Sequence, residues 1–220
     1  MSLTRNAISY AVPGLAALAL SGLAVSPAAA QTLITFDDVT NNGSGSPLPA
    51  GYQGLNWTLS VLNTQLYSIN PSGYQAGTIS GPNVIYGGGS ITAPVGMSFT
   101  LSSGYFTAAW DDNLALTATG LQNGVTTFTK SVLLSATAPT LINFDFLNVD
   151  QVTFSATGGT QHAAYAGTGN QFAADNLTFR DLPTPASAAP EPSQAAALGL
   201  TTLGVLGLVL RARRKKPTLS

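Results

Sequence analysis

The 220-residue sequence predicts an all-β protein: a jelly-roll-like antiparallel β-sandwich, preceded by a cleavable N-terminal signal peptide and followed by a single C-terminal transmembrane helix. Three observations carry this. Apolar residues alternate with polar ones through the middle of the chain, the period of a half-buried strand. Segments rich in Gly, Asn, Ser and Pro punctuate that alternation at short intervals, as hairpin and loop chemistry requires. The two ends differ in composition from the middle and from each other.

The N-terminal 30 residues carry one basic residue, Arg5, then an Ala/Leu-rich run from Ala7 to Val25, then Pro27 and Ala28-Ala29-Ala30. A basic start, an apolar stretch, a helix breaker and a small-residue site match a secretory signal peptide, with Ala28 and Ala30 at the cleavage positions. Pro13-Gly14 and Pro27 would interrupt a buried helix here, so export is the expectation.

Residues 31–180 form the expected sandwich. In "LITFDD" Ile34 and Phe36 share a face; in "NLALTATG" Leu114, Leu116 and Ala118 share one, with Ala115, Thr117 and Thr119 opposite. "MSFTL", "VTTFTKSVLL", "LINFDFL", "DQVTFSA" and "FAADNLTF" repeat the pattern, giving about ten strands, separated by turn-forming stretches such as "NPSG", "YGGGS" and "QNG". Many short antiparallel strands bury themselves by stacking two sheets or closing a barrel. Residues 181–189 are proline-rich and read as an extended linker.

Between Gln31 and Ala189 the eight aspartates against Lys130 and Arg180 leave a net charge of −6, with no glutamate, one histidine (His162) and no cysteine. Two cations cannot neutralise a phosphate backbone, which excludes nucleic acid as a partner. A zinc centre lacks ligands, and Gly-x-Ser-x-Gly is absent. A non-catalytic domain is therefore the first expectation; the alternative is a secreted carbohydrate-active enzyme, glycoside hydrolase-like, using a pair of aspartates.

Two constellations suggest binding. Asp37-Asp38 closes the first strand and Asp175-Asn176 opens the last. If the terminal strands are neighbours, these hard oxygen donors converge as Ca²⁺ prefers, although Asp and Asn also serve as turn residues. Asp175, Leu177 and Phe179 fall on one face of a regular strand, so an inward carboxylate there needs compensation. Tyr67 and Tyr74 bracket the loop-like "SINPSG" and are the candidate exposed surface for sugar rings, whereas Trp57 and Trp110 lie in strand patterns and read as core.

The C-terminal stretch has three parts in strict order. Pro190-Glu191-Pro192 is followed by 18 uncharged residues and then by Arg211, Arg213, Arg214, Lys215 and Lys216. As a helix the uncharged run is roughly 27 Å long, just under the bilayer core, and the basic cluster would hold its end on the cytoplasmic side. Residues 190–216 resemble the PEP-CTERM sorting signal of Gram-negative bacteria, and "TFDD", "GYQGLNW", "SGYFTAAWDDNLALTATG" and "FAADNLTF" resemble a recurrent subset of such proteins. The resemblance implies processing by an exosortase, transient anchoring in the inner membrane, removal of the tail, and delivery to the cell surface or extracellular matrix. It further implies association with exopolysaccharide and biofilm. Replacing Arg211, Arg213, Arg214, Lys215 and Lys216 with neutral residues is expected to leave unprocessed or misplaced precursor in cell fractions; unchanged tail removal and surface delivery would refute the sorting assignment.

Overall fold

The computed structural model describes residues 30–41 and 43–183. The expected signal peptide up to residue 29, the linker beyond Pro183 and the segment from Pro190 to Lys216 lie outside the described residues. Among the described residues no helix is long and apolar enough to cross a membrane.

Fourteen strands follow one another along the described chain. The first six are β1 (Gln31–Ile34), β2 (Ser46–Pro47), β3 (Asn56–Trp57), β4 (Ser60–Asn63), β5 (Asn83–Tyr86) and β6 (Gly89–Thr92). Next come β7 (Phe99–Ala108), β8 (Asp111–Asp112), β9 (Leu114–Gln122) and β10 (Val125–Leu134). The last four are β11 (Thr140–Val149), β12 (Gln151–Thr157), β13 (Thr160–Gln161) and β14 (Phe172–Arg180). Among the described residues helical structure is limited to one turn, α1 (Gly73–Ala76), capped by the Ser72 side chain, and a 3₁₀ turn at Tyr52–Gly54.

Two antiparallel sheets form a β-sandwich. One has the order β11-β7-β14-β5-β4-β2, with β1 also paired to β14; the other runs β10-β9-β12-β6-β3. A two-stranded ribbon, β8 with β13, closes one end. Asp111-Asp112 forms the short strand β8, and Asn113 after it takes a left-handed φ of 59°.

Alternation places the core. From the five-stranded sheet Leu114, Leu116, Ala118, Val152, Phe154 and Ile91 point inward, and from the other Phe99, Leu101, Phe106, Phe172, Leu177 and Phe179 meet them. Phe106 lies 5.5 Å from Phe144, 5.5 Å from Phe154 and 5.7 Å from Phe172 by ring centroid, so it contacts rings of both sheets. A second cluster of Leu62, Tyr74, Val84, Ala109, Trp110 and Ala173 lies on the outer side of the seven-stranded sheet.

Three Asx residues mark slips in strand register. Asp145, Asn148 and Asn176 have positive φ, and the register of the paired strands slips by a residue across each. Asn and Asp tolerate the left-handed region better than other non-glycine residues. The consequence in β14 is a bulge: Asp175 opposes Tyr105 and Thr178 opposes Ser103, three positions against two. Phe36, expected inside the first strand, also has a positive φ, so β1 ends at Ile34 while both side chains remain buried.

Phe106→Ala removes a fully buried ring shared by both sheets. It is expected to lower unfolding free energy by about 3–5 kcal/mol, read as a reduced urea midpoint at an unchanged slope.

Candidate functional site

The terminal strands are neighbours, and their acidic residues meet in part. β14 pairs on one side first with β5, through Ala173 and Ala174, and then with β1, through Leu177 to Arg180. Asp175 and Asn176 stand at the fork between those partners. The bulge at Asn176 removes Asp175 from the face of Leu177 and Phe179, correcting the regular-strand expectation. Its carboxylate instead accepts hydrogen bonds from backbone N–H groups of Ile79 at 2.7 Å, Ser80 at 2.9 Å and Asn176 at 2.6 Å. The Ser80 hydroxyl faces Asn176 Oδ1 at 2.7 Å and Asp37 Oδ2 at 3.2 Å, and Asp37 Oδ1 accepts from Asn83 N–H.

Asp38 does not join them. Its carboxylate accepts from the Tyr52 hydroxyl, on the other side of the turn. Burial and this hydrogen bond raise the Tyr52 phenol above its ordinary value. The convergence expected of Asp37, Asp38, Asp175 and Asn176 for Ca²⁺ is thereby corrected: Asp38 turns to Tyr52, and three backbone amides compensate Asp175. Among the described residues no group of three or more His, Cys, Asp or Glu side chains is placed to hold a metal ion.

Tyr67 and Tyr74 come together, at 5.4 Å and edge to face, but not as an exposed platform. Tyr74 is 4% exposed and packs against Trp110 and Tyr86 inside the outer cluster. Tyr67 is half-buried over the same cluster, so the binding expectation for Tyr74 is corrected to a packing role. Burial raises both phenols. Trp110 is buried as expected, and Trp57 is half-buried, packed on Phe36 and Phe179 with its indole N–H donated to Tyr52 O. His162 holds Asp112 through Nδ1 at 2.6 Å and packs on Tyr165, and this hydrogen bond lowers the Asp112 carboxyl.

A cleft that the sequence reading missed opens at one end of the sandwich. It has a volume of about 490 Å³, within the usual range for small-molecule sites. The β6–β7 loop supplies Pro94, Val95 and Met97, the β9–β10 turn supplies Gln122 and Asn123, and the start of β12 supplies Gln151. Val95 and Met97 are exposed. Asp150 is the single carboxylate in the lining, and it is rigidly held. Its N–H donates to Leu121 O, its carbonyl accepts from Ala93 N–H, and its Oδ2 accepts from Asn123 N–H. The legible signal was "TAPVGMS", where two large apolar residues flank a glycine with positive φ in a loop.

No protein-family model and no curated protein sequence matches this chain. Among solved structures it is similar to a DUF4465 family protein from Bacteroides caccae, with 14% identity, 74% of this chain and 97% of that chain covered, and a TM-score of 0.47. A DUF4465 family protein from Bacteroides ovatus has 10% identity, coverage of 69% and 94%, and a TM-score of 0.42. TmCBM61 in complex with beta-1,4-galactotriose has 12% identity, coverage of 64% and 99%, and a TM-score of 0.32. Likenesses this distant transfer neither ligand nor activity.

Asp175 is 0% exposed, and burial pushes its carboxyl from 3.8 up to about 6, even though the three N–H donors pull the other way and Asp37 adds to the rise. The folded state therefore binds this proton more tightly than the unfolded one. Its stabilising effect is full below roughly pH 4 and is lost as pH rises through 6, a change of about 3 kcal/mol. Urea unfolding of wild type and Asp175→Asn at both ends of that window checks this: the wild type is expected to lose more stability toward neutral pH than the variant.

Proposed function

We propose that this chain is an exported, non-catalytic surface or matrix protein that binds glycan weakly in the cleft around Asp150. The observation that carries the reading is the cleft's chemistry. Side-chain amides of Gln122, Asn123 and Gln151 and the hydroxyls of Thr92 and Ser98 offer donors and acceptors for sugar hydroxyls, beside exposed Val95 and Met97 for the apolar face of a ring. The shape is open and the contacts are polar, which favours modest affinity.

The same cleft argues against the glycosidase alternative. Hydrolysis needs two carboxyl groups flanking the scissile bond, one of them protonated, and Asp150 stands alone there. Asp37 and Asp175 are close together, but Asp175 is sealed beneath the Ile79–Ser80 backbone. The remaining aspartates lie in turns, at strand ends or in a bulge.

Export and exosortase sorting belong to the same reading. Their support is the N-terminal run ending in Ala28-Ala29-Ala30 and the resemblance of residues 190–216 to the PEP-CTERM signal. In that setting the domain faces exopolysaccharide at high local concentration, where weak, repeated contacts suffice.

The test is a glycan array followed by titration of the folded domain with the oligosaccharides that bind. Gln122→Ala and Asp150→Asn are each expected to weaken binding about three- to tenfold, the size of one lost hydrogen bond. Absence of binding to every glycan, or hydrolysis of any of them, would overturn the reading.

A further inference from the structure

The outer face of the five-stranded sheet carries an ordered hydroxyl array that the cleft does not explain. Thr129 on β10 pairs with Thr119 on β9, Thr119 with Thr153 on β12, and Thr153 with Ser90 on β6. Ser90 in turn meets Thr58, just past β3, whose Oγ1 accepts from its N–H at 2.7 Å. One hydroxyl residue per strand therefore runs across all five strands. A second row lies two residues along: Ser131, Thr117 and Ser155 in register, with the Ser131 and Thr117 hydroxyls 3.0 Å apart. Residues of both rows are half-buried or exposed, and none carries a charge, in a domain whose net charge is −6.

We propose that this face is a track for an extended, uncharged, β-linked polysaccharide chain lying across the strands. Neighbouring strands are about 4.8 Å apart, so the five-hydroxyl row repeats at that interval over roughly 19 Å. This repeat is close to the advance of one pyranose in an extended β-linked chain, so each strand meets one sugar. Hydroxyls both donate and accept, which suits a polymer presenting hydroxyls on alternating sides. The absence of charge admits a neutral polymer, while the acidic remainder of the domain disfavours a polyanion. Thr92 and Gln151, paired in register, line the cleft and edge this face, so cleft and track are continuous. The inference rests on the glycan reading of the cleft for its starting point and adds the length, linkage shape and charge class of the ligand.

The discriminating variant is Thr119→Val with Thr153→Val, which removes two central hydroxyls and keeps β-branched shape. Calorimetric titration would use β-1,4-linked gluco-oligosaccharides, a disaccharide and a hexasaccharide, with a polyuronate as the charged control. Wild type is expected to bind the hexasaccharide at least tenfold more tightly than the disaccharide. The double variant, with unchanged melting, is expected to lose most of that advantage and to keep disaccharide binding, whereas Gln122→Ala weakens both. Equal affinity for the two lengths, an unaffected double variant, preference for the polyuronate, or a wild-type dimer that the double variant dissociates would each overturn the track. Disaccharide binding without a length effect would leave the cleft standing alone. Hexasaccharide binding that depends on Thr119 and Thr153 but not on Gln122 would sink the cleft instead.

Discussion

The sandwich depends on how one carboxylate is held at a fork. β14 pairs with β7 along its length on one side but has two successive partners on the other, β5 and then β1. Where one partner gives way to the next, a ladder ends and backbone N–H groups lose their strand acceptors. Unpaired groups of that kind are costly when buried. Asp175 supplies the acceptors for Ile79, Ser80 and Asn176, and Asp37 does so for Asn83. Asn83 then returns two side-chain N–H bonds to Phe36 O and Val39 O. The first strand, the last strand and the loop leading into β5 are joined through this polar junction. Burial of Asp175 outweighs its three N–H donors and leaves the carboxyl raised.

The left-handed Asx residues make that junction geometrically possible. A regular strand would send Asp175 to the same side as Leu177 and Phe179, into an aromatic core with no donors. The extra residue at Asn176 resets the alternation, so Ala174, Leu177 and Phe179 all reach the core while Asp175 reaches the covering loop. Asn148 does the same in β11, letting both Phe146 and Val149 face inward despite their odd spacing.

Much of the fold was legible because it is written in a period of two. Ten of the fourteen strands have four or more residues, and "NLALTATG" buries Leu114, Leu116 and Ala118 as its alternation requires. Illegible were the positions where a single φ changes sign, since Asn and Asp mark loops, turns and bulges alike. Hence the adjacency of the first and last strands could be posed from the sequence, while the destinations of Asp38 and Asp175 could not. Tyr74 was misplaced for a related reason: the loop bearing it folds back over the outer face of the seven-stranded sheet, and a polar stretch such as "SINPSG" does not announce that it covers Leu62, Val84 and Ala173. The cleft was missed because its walls come from three turns distant in sequence.

Charge distribution ties the fold to its surface. A sheet protein must protect its edges from pairing with other chains. Here β10 and β11 each form one edge of their sheet, with β3 and β2 at the opposite edges. Lys130 crosses between them to cap Asn143 O at 2.6 Å, and Asp145 places an exposed charge in a bulge of β11. Arg180 sits 3.9 Å from that carboxylate, so both cations of the described domain lie toward this side. With the edge defended by charge and bulges, the hydroxyl-bearing outer face needs no charge of its own to prevent strand addition, because its backbone is already paired within the sheet. A face free of charge and rich in hydroxyls is poorly suited to a charged partner. Those properties favour shallow, repeated contacts with a neutral hydroxylated polymer over a single deep site for a small ligand.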